Sequence, residues 1–121
     1  MILVRSALLA VAVLSFVAFL PALGADFVNW DDEVTLLRNV RYRGLGLAQL
    51  QWMFTTTLLG HWSPLTWFTW SLDYVAGGMN PFGYHLTSVL LHAVNAALFC
   101  LVARRLLAQG FGAPPSATPR R

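Results

Sequence analysis

Polar positions are rare and clustered along this chain, and the gaps between them mark out its elements. From Ile2 to Leu23 the run is apolar apart from Arg5, Ser6, Ser15 and Pro21. About 20 such residues, each rising 1.5 Å, cross a hydrocarbon core of about 30 Å, so residues 1–24 are expected to form a first transmembrane helix. A second apolar run follows Asn80-Pro81, an N-cap residue with proline at the first helical position, where a missing N–H costs nothing. That run continues to about Leu107 and predicts a second transmembrane helix over residues 81–108. Residues 25–80 form the loop between the two. Residues 109–121, rich in Gly, Pro, Ser and Arg, are expected to form a disordered cytoplasmic tail. The expected fold is an all-α membrane protein: two transmembrane helices joined by a loop that carries short membrane-surface helices. The first run also fits a cleaved signal peptide, with Arg5 as its basic region, Ala7 to Leu20 as its apolar core and Ala22-Leu23-Gly24 before the cut. A mature chain starting at Ala25 would identify that alternative.

Two short helices are predicted inside the loop. Ser63-Pro64 starts one that runs to about Ala76, with Trp67, Trp70 and Tyr74 at i, i+3 and i+7 on one face. The other runs from about Leu47 to Thr57, after Gly44 and Gly46, with Leu47, Leu50 and Phe54 on one side. All five tryptophans lie in the loop, and their preference for the headgroup level places these faces on the membrane surface. Packing against a neighbouring domain is the alternative. In the second span His85, Ser88, His92 and Asn95, spaced 3, 4 and 3 apart, share an arc of roughly 80°. Polar side chains in a bilayer face protein, so the stripe is expected to bond partner helices absent from this chain. His85, near the outer end, is placed to approach a substrate.

Composition and charge sharpen this layout. The chain is 57% apolar and only 11% charged, against roughly 25% charged for a soluble domain, which excludes a soluble globule. Arg5 and the pair Arg104-Arg105 flank the spans, and arginines at span ends are retained in the cytoplasm. The predicted topology is therefore N-in and C-in, with the loop extracytoplasmic. All five acids lie in that loop, and its three arginines leave it a net charge of −2. No basic face tracks a phosphate backbone, so no nucleic-acid partner is expected. A lone Cys100 forbids an intrachain disulfide, and His85 and His92 stand two turns apart with no third ligand, so no metal site is predicted.

The candidate chemistry is acidic. Asp31, Asp32 and Glu33 follow the first span at once, beside Phe27, Val28 and Trp30. Carboxylates crowded together near apolar residues suit general-base work on a hydroxyl at neutral pH. The bland alternative is a helix cap, Asp31 or Asp32 accepting from the first N–H groups of a short helix through Thr35 to Arg38.

The order FVNWDD (27–32), WMFTTT (52–57), GHWSPLTW (60–67), LDY (72–74) and GMNPFGYHLTSVLLHAVNAALF (78–99), followed by a basic pair, resembles the N-terminal part of the tetratricopeptide-repeat-containing, O-mannosyltransferase-like membrane proteins, in a bacterial form. The similarity covers roughly residues 25–108. It implies a GT-C type glycosyltransferase whose first extracytoplasmic loop carries an acidic pair and two helices lying along the membrane. The implied donor is a polyprenyl-phosphate-linked sugar such as mannose, and the implied acceptor a protein hydroxyl. On this resemblance Asp31 activates the acceptor as the catalytic acid–base group and Asp32 orients acceptor or donor, while His61 and His85 lie near substrate. Neither the sugar, the acceptor nor a divalent metal is specified by these residues. The family's further transmembrane helices and its repeats are missing, so the chain reads as an N-terminal fragment, inactive alone, of a protein in a bacterial inner membrane. The alternative is a small non-catalytic two-span protein that docks other subunits through its aromatic loop.

Overall fold

A computed structural model describes residues 2–110, with side chains from Val4 onward. Every regular element among them is helical: α1 (Ile2–Ala18), a 3-10 turn (Leu20–Gly24), a π turn (Glu33–Leu37), α2 (Leu47–Thr55), α3 (Pro64–Gly77) and α4 (Pro81–Gly110). The only strand-like pairing described is a single bridge between Leu58 and His61. The all-α expectation holds, and two segments, Val4–Gly24 and Pro81–Gly110, are long and apolar enough to cross a membrane.

The chain divides into two compact units. The first comprises residues 2–17 and 91–110, from α1 and most of α4. Its large apolar side chains are exposed along both helices, among them Leu9, Leu14, Leu98 and Phe99, as expected of surfaces that meet lipid rather than protein. The first span is not one uniform α-helix. Pro21 has no N–H and its ring collides with the carbonyl four residues back, so α1 ends at Ala18 and the chain tightens into the 3-10 turn. At the other end α4 continues past residue 108 to Gly110. The tail expected beyond it falls outside the described residues.

The second unit, residues 18–90, holds the core. Leu36, Tyr42, Met53, Trp67 and Tyr84 are its buried residues, with Phe27, Leu50, Trp52, Trp70, Tyr74 and Met79 packed around them. Polar ties close it. The hydroxyls of Tyr42 and Tyr84 lie 3.1 Å apart, and the fully buried Ser71 donates to the carbonyl of Gly44. Gly44 sits at φ +120°, which a side chain would resist. Arg43 is anchored at 3.1 and 2.7 Å on the carbonyls of Leu36 and Leu37, with its guanidinium over the Tyr74 ring. At the start of α4, Asn80 Oδ1 accepts from Phe82 N–H at 3.1 Å, the cap read from the sequence. Ser63, by contrast, precedes α3 without any side-chain cap bond.

Two predicted faces need correction. On α2, Leu47 is 87% and Phe54 53% exposed, while Met53 is fully buried, so the packed side runs through Leu50 and Met53. On α3, Trp67, Trp70 and Tyr74 do share a face, but it turns into the core against Trp52 and Tyr42. The face left outside is Leu65, Phe68, Leu72 and Val75. When both sides of a helix are apolar, the aromatic side wins the interior because each large ring buries more surface. The polar stripe of α4 divides as well. His85 is half-buried, whereas Ser88, His92 and Asn95 are exposed, and the inward positions are Tyr84, Val89 and Ala93.

Asp73 is the most constrained acid. Its Oδ1 accepts from the Thr87 hydroxyl at 2.6 Å, and its buried Oδ2 has no hydrogen-bond partner among the described residues. Burial raises its pKa above the ordinary carboxylate value, and the Thr87 bond only partly opposes that. The folded state therefore holds the proton more tightly than the unfolded chain, so this group's contribution to stability falls as pH rises through that interval. Asp73→Asn is accordingly expected to raise the thermal midpoint in detergent at pH 7. The gain should shrink as the pH is lowered and Asp73 itself takes up a proton. An equal gain at neutral and at acid pH would show that charge at this position is irrelevant.

Candidate active site

The acidic turn separates its carboxylates by backbone geometry. The segment from Glu33 winds as a π turn, closed by Arg38 N–H donating to the carbonyl of Glu33 at 2.9 Å. Wide turns of this kind recur at functional sites. The helix-cap reading is not what forms, since neither aspartate side chain caps this turn. Asp32 Oδ2 instead accepts from Val28 N–H at 3.0 Å, tying the chain back on itself. Glu33 pairs with Arg38. Asp31 uses only its main-chain carbonyl locally, accepting from the Thr35 hydroxyl at 2.7 Å, and this leaves its carboxylate uncommitted.

Asp31 and His61 line one pocket of about 160 Å³. The pocket also takes in the hydroxyl residues Thr35, Ser63 and Thr66, and its walls are Leu58, Leu59, Trp67 and Trp70. At about 30 Å³ per water the space suits one hydroxyl-bearing side chain. Trp67 forms a rigid wall, 3% exposed. Its ring meets Trp52 at 5.0 Å and Trp70 at 5.4 Å, both edge to face. Its buried indole N–H has no acceptor among the described residues. Neither Asp32 nor His85 lines this pocket. His85 lies beside Phe27, ring centres 6.4 Å apart, with Nε2 buried and without a hydrogen-bond partner among the described residues. On the other side of the acidic turn, Glu33 lines a separate hollow of about 290 Å³ with Phe27, Val28, Asn29 and Leu37. No three His, Cys, Asp or Glu side chains gather as a metal site among the described residues.

A tight turn delivers His61. Leu58 and His61 exchange main-chain hydrogen bonds of 3.0 and 2.9 Å across Leu59 and Gly60, at φ +50° and +80°. Two positive φ values in a two-residue turn are the type I′ pattern, for which Asn-Gly is the favoured sequence. Leucine at the first position costs about 1–2 kcal/mol in the left-handed region. Leu59→Asn is therefore expected to stabilise the protein by about 1 kcal/mol, read as a higher thermal midpoint. A lower midpoint would mean that packing of Leu59 outweighs the backbone strain. The Leu59-Gly60 turn, the hydroxyls and the indole wall are the parts that reading the sequence missed, and Gly60 before His61 was the available signal.

Several animal proteins are similar to most of the chain. Protein O-mannosyl-transferase Tmtc1 of Drosophila melanogaster is 42% identical over 107 residues, 82% of this chain and 12% of that protein. Protein O-mannosyl-transferase Tmtc2 of the same organism is 40% identical over 104 residues, 78% of this chain and 11% of that protein. Protein O-mannosyl-transferase TMTC2 of Homo sapiens is 33% identical over 110 residues, 81% of this chain and 13% of that protein. The chain thus spans about an eighth of the length of the relatives it matches. No family model and no solved structure matches it.

Proposed function

From its homology to one segment of the Tmtc1 and Tmtc2 protein O-mannosyl-transferases, we propose that this chain forms the acceptor-activating loop of a membrane glycosyltransferase. The observation that carries the reading is that Asp31 and His61 line one pocket with three hydroxyl residues and two tryptophans. In this reading Asp31 takes the proton of a protein hydroxyl. The freed oxygen forms a bond to the anomeric carbon of a polyprenyl-phosphate-linked sugar, mannose by analogy with the relatives' names. The bond from that carbon to phosphate breaks, and the polyprenyl phosphate leaves with the electron pair. Asp32 acts at one remove, fixing the approach of residues 27–30 through the Val28 N–H. His61 steadies the acceptor beside Asp31, and His85 stays near but outside the pocket.

The phosphate's counter-charge and the donor's lipid tail need groups beyond this loop. Arg38 and Arg43 are engaged with Glu33 and with main-chain carbonyls, Arg41 is exposed, and no arginine lines the pocket. Partner helices of the same protein supply what remains, and the exposed Ser88 and Asn95 of α4 suit them. The membrane is a bacterial inner one in this proposal, with residues 25–80 outside and both helix ends that carry arginine in the cytoplasm. Support for that orientation is the charge bias itself and the gathering of Arg5, Arg104 and Arg105 around one hollow.

The test is a chimera in which residues 25–108 replace the matching segment of Drosophila Tmtc1, assayed for mannosyl transfer from polyprenyl-phosphate mannose to a Ser/Thr peptide. Transfer at a rate within about tenfold of the parent is expected. A chimera that is folded and membrane-inserted yet inactive would overturn the reading.

A further inference from the structure

The unit built from residues 2–17 and 91–110 contains a hollow of about 520 Å³ lined by Val4 and Arg5 of α1 and Leu101, Arg104, Arg105 and Ala108 of α4. We propose that this hollow binds the phosphodiester headgroup of an anionic phospholipid, with the acyl chains running along the apolar sides of the two helices.

The charges call for such an occupant. Three arginines from two helices line one space, and no carboxylate side chain belongs to this unit, because all five acids of the chain lie between residues 26 and 73. Among the described residues no ion pair involves Arg5, Arg104 or Arg105. Retention of arginine in the cytoplasm explains the sign of the charge at each span end, but it does not require the two ends to share a cavity. Guanidinium forks match phosphate oxygens two at a time, and basic pockets between transmembrane helices are a recurring setting for phospholipid headgroups. The volume falls within the range of about 300–1,000 Å³ usual for ligand sites. Lipid is favoured over free phosphate because the wall of the hollow is mostly apolar, arginine stems included, and the adjoining surface stays so, with Leu98, Val102, Leu106 and Leu107 exposed on α4.

The experiment is native mass spectrometry of the full chain in detergent, with phosphatidylglycerol and phosphatidylcholine added in equal amounts. Phosphatidylglycerol should be retained at least about fivefold over phosphatidylcholine, near the worth of one arginine at an anionic surface. Arg104→Gln with Arg105→Gln should abolish that preference. Leu101→Trp, which keeps every charge but fills the hollow, should abolish it too. Equal retention of the two lipids, or unchanged preference in both variants, would overturn the proposal. Displacement of phosphatidylglycerol by millimolar inorganic phosphate would also overturn it, by showing a simple anion site. The inference stands apart from the transferase reading, since loss of mannosyl transfer in the chimera would leave these outcomes untouched.

Discussion

Asp31→Asn is expected to lower kcat for mannosyl transfer in the chimera by about 10²- to 10⁴-fold, the usual worth of a general base, with little change in acceptor KM. Asn keeps the shape of the side chain but cannot take a proton from the acceptor hydroxyl. The prediction is sharp because the local structure does not depend on this carboxylate: Asp31 serves its turn through the main-chain carbonyl that accepts from Thr35. Folding and membrane insertion of the variant should therefore match the parent. Asp32→Asn is the informative contrast. Its oxygen accepts from Val28 N–H, an amide oxygen can take over that bond, and the loss should be smaller, within about tenfold. Equal losses in the two variants would mean that the carboxylates act as a chemical pair. Unchanged turnover in Asp31→Asn would remove it as the base.

Trp67→Ala should have the largest effect on stability, about 3–5 kcal/mol, as for other buried aromatic truncations. Trp67 is buried between Trp52 and Trp70 and belongs to the cluster with Tyr42, Met53 and Tyr84. Removing it leaves a cavity that two separate helices would have to collapse to fill. The measurement is thermal unfolding in detergent followed by near-ultraviolet circular dichroism, where edge-to-face indoles give a strong signal. Loss of that signal and a fall of the midpoint are expected together. Trp30→Ala is the control, since Trp30 is 80% exposed and its loss should move the midpoint little. A Trp67→Ala midpoint equal to the parent's would show that the aromatic cluster does not hold the loop together.

The spans were legible because long runs dominated by apolar residues fill them, and the start of α4 because Asn80-Pro81 carries a cap with its own chemistry. The faces of α2 and α3 were not. Periodicity locates an interior only where the opposite side is polar, and around Leu47 and Leu65 both sides are apolar. Interior choice then passes to shape, which put Met53 and Trp67 inside. Asp31, singled out by its neighbours in sequence, lines the pocket, but His61, which lines it too, lies 30 positions away, and its arrival there depends on the Leu59-Gly60 turn. The cap expected at Asp31-Asp32 failed because nothing in the residue types announces a π turn, which is a matter of how the chain closes on itself.

That closure sets an angular phase. On an α-helix, residues five apart stand about 140° from one another at 100° per residue, so a leucine at position 36 rooted in the interior would swing an aspartate at position 31 away from it. Hydrogen bonds that close over five residues, as between Arg38 and Glu33, wind more slowly and bring the two positions nearer to one side. Leu36 can then be buried while Asp31 borders the pocket. The aim of the carboxylate is encoded in the number of residues in one turn, so a single-residue insertion or deletion there would redirect it without altering the other side of the pocket.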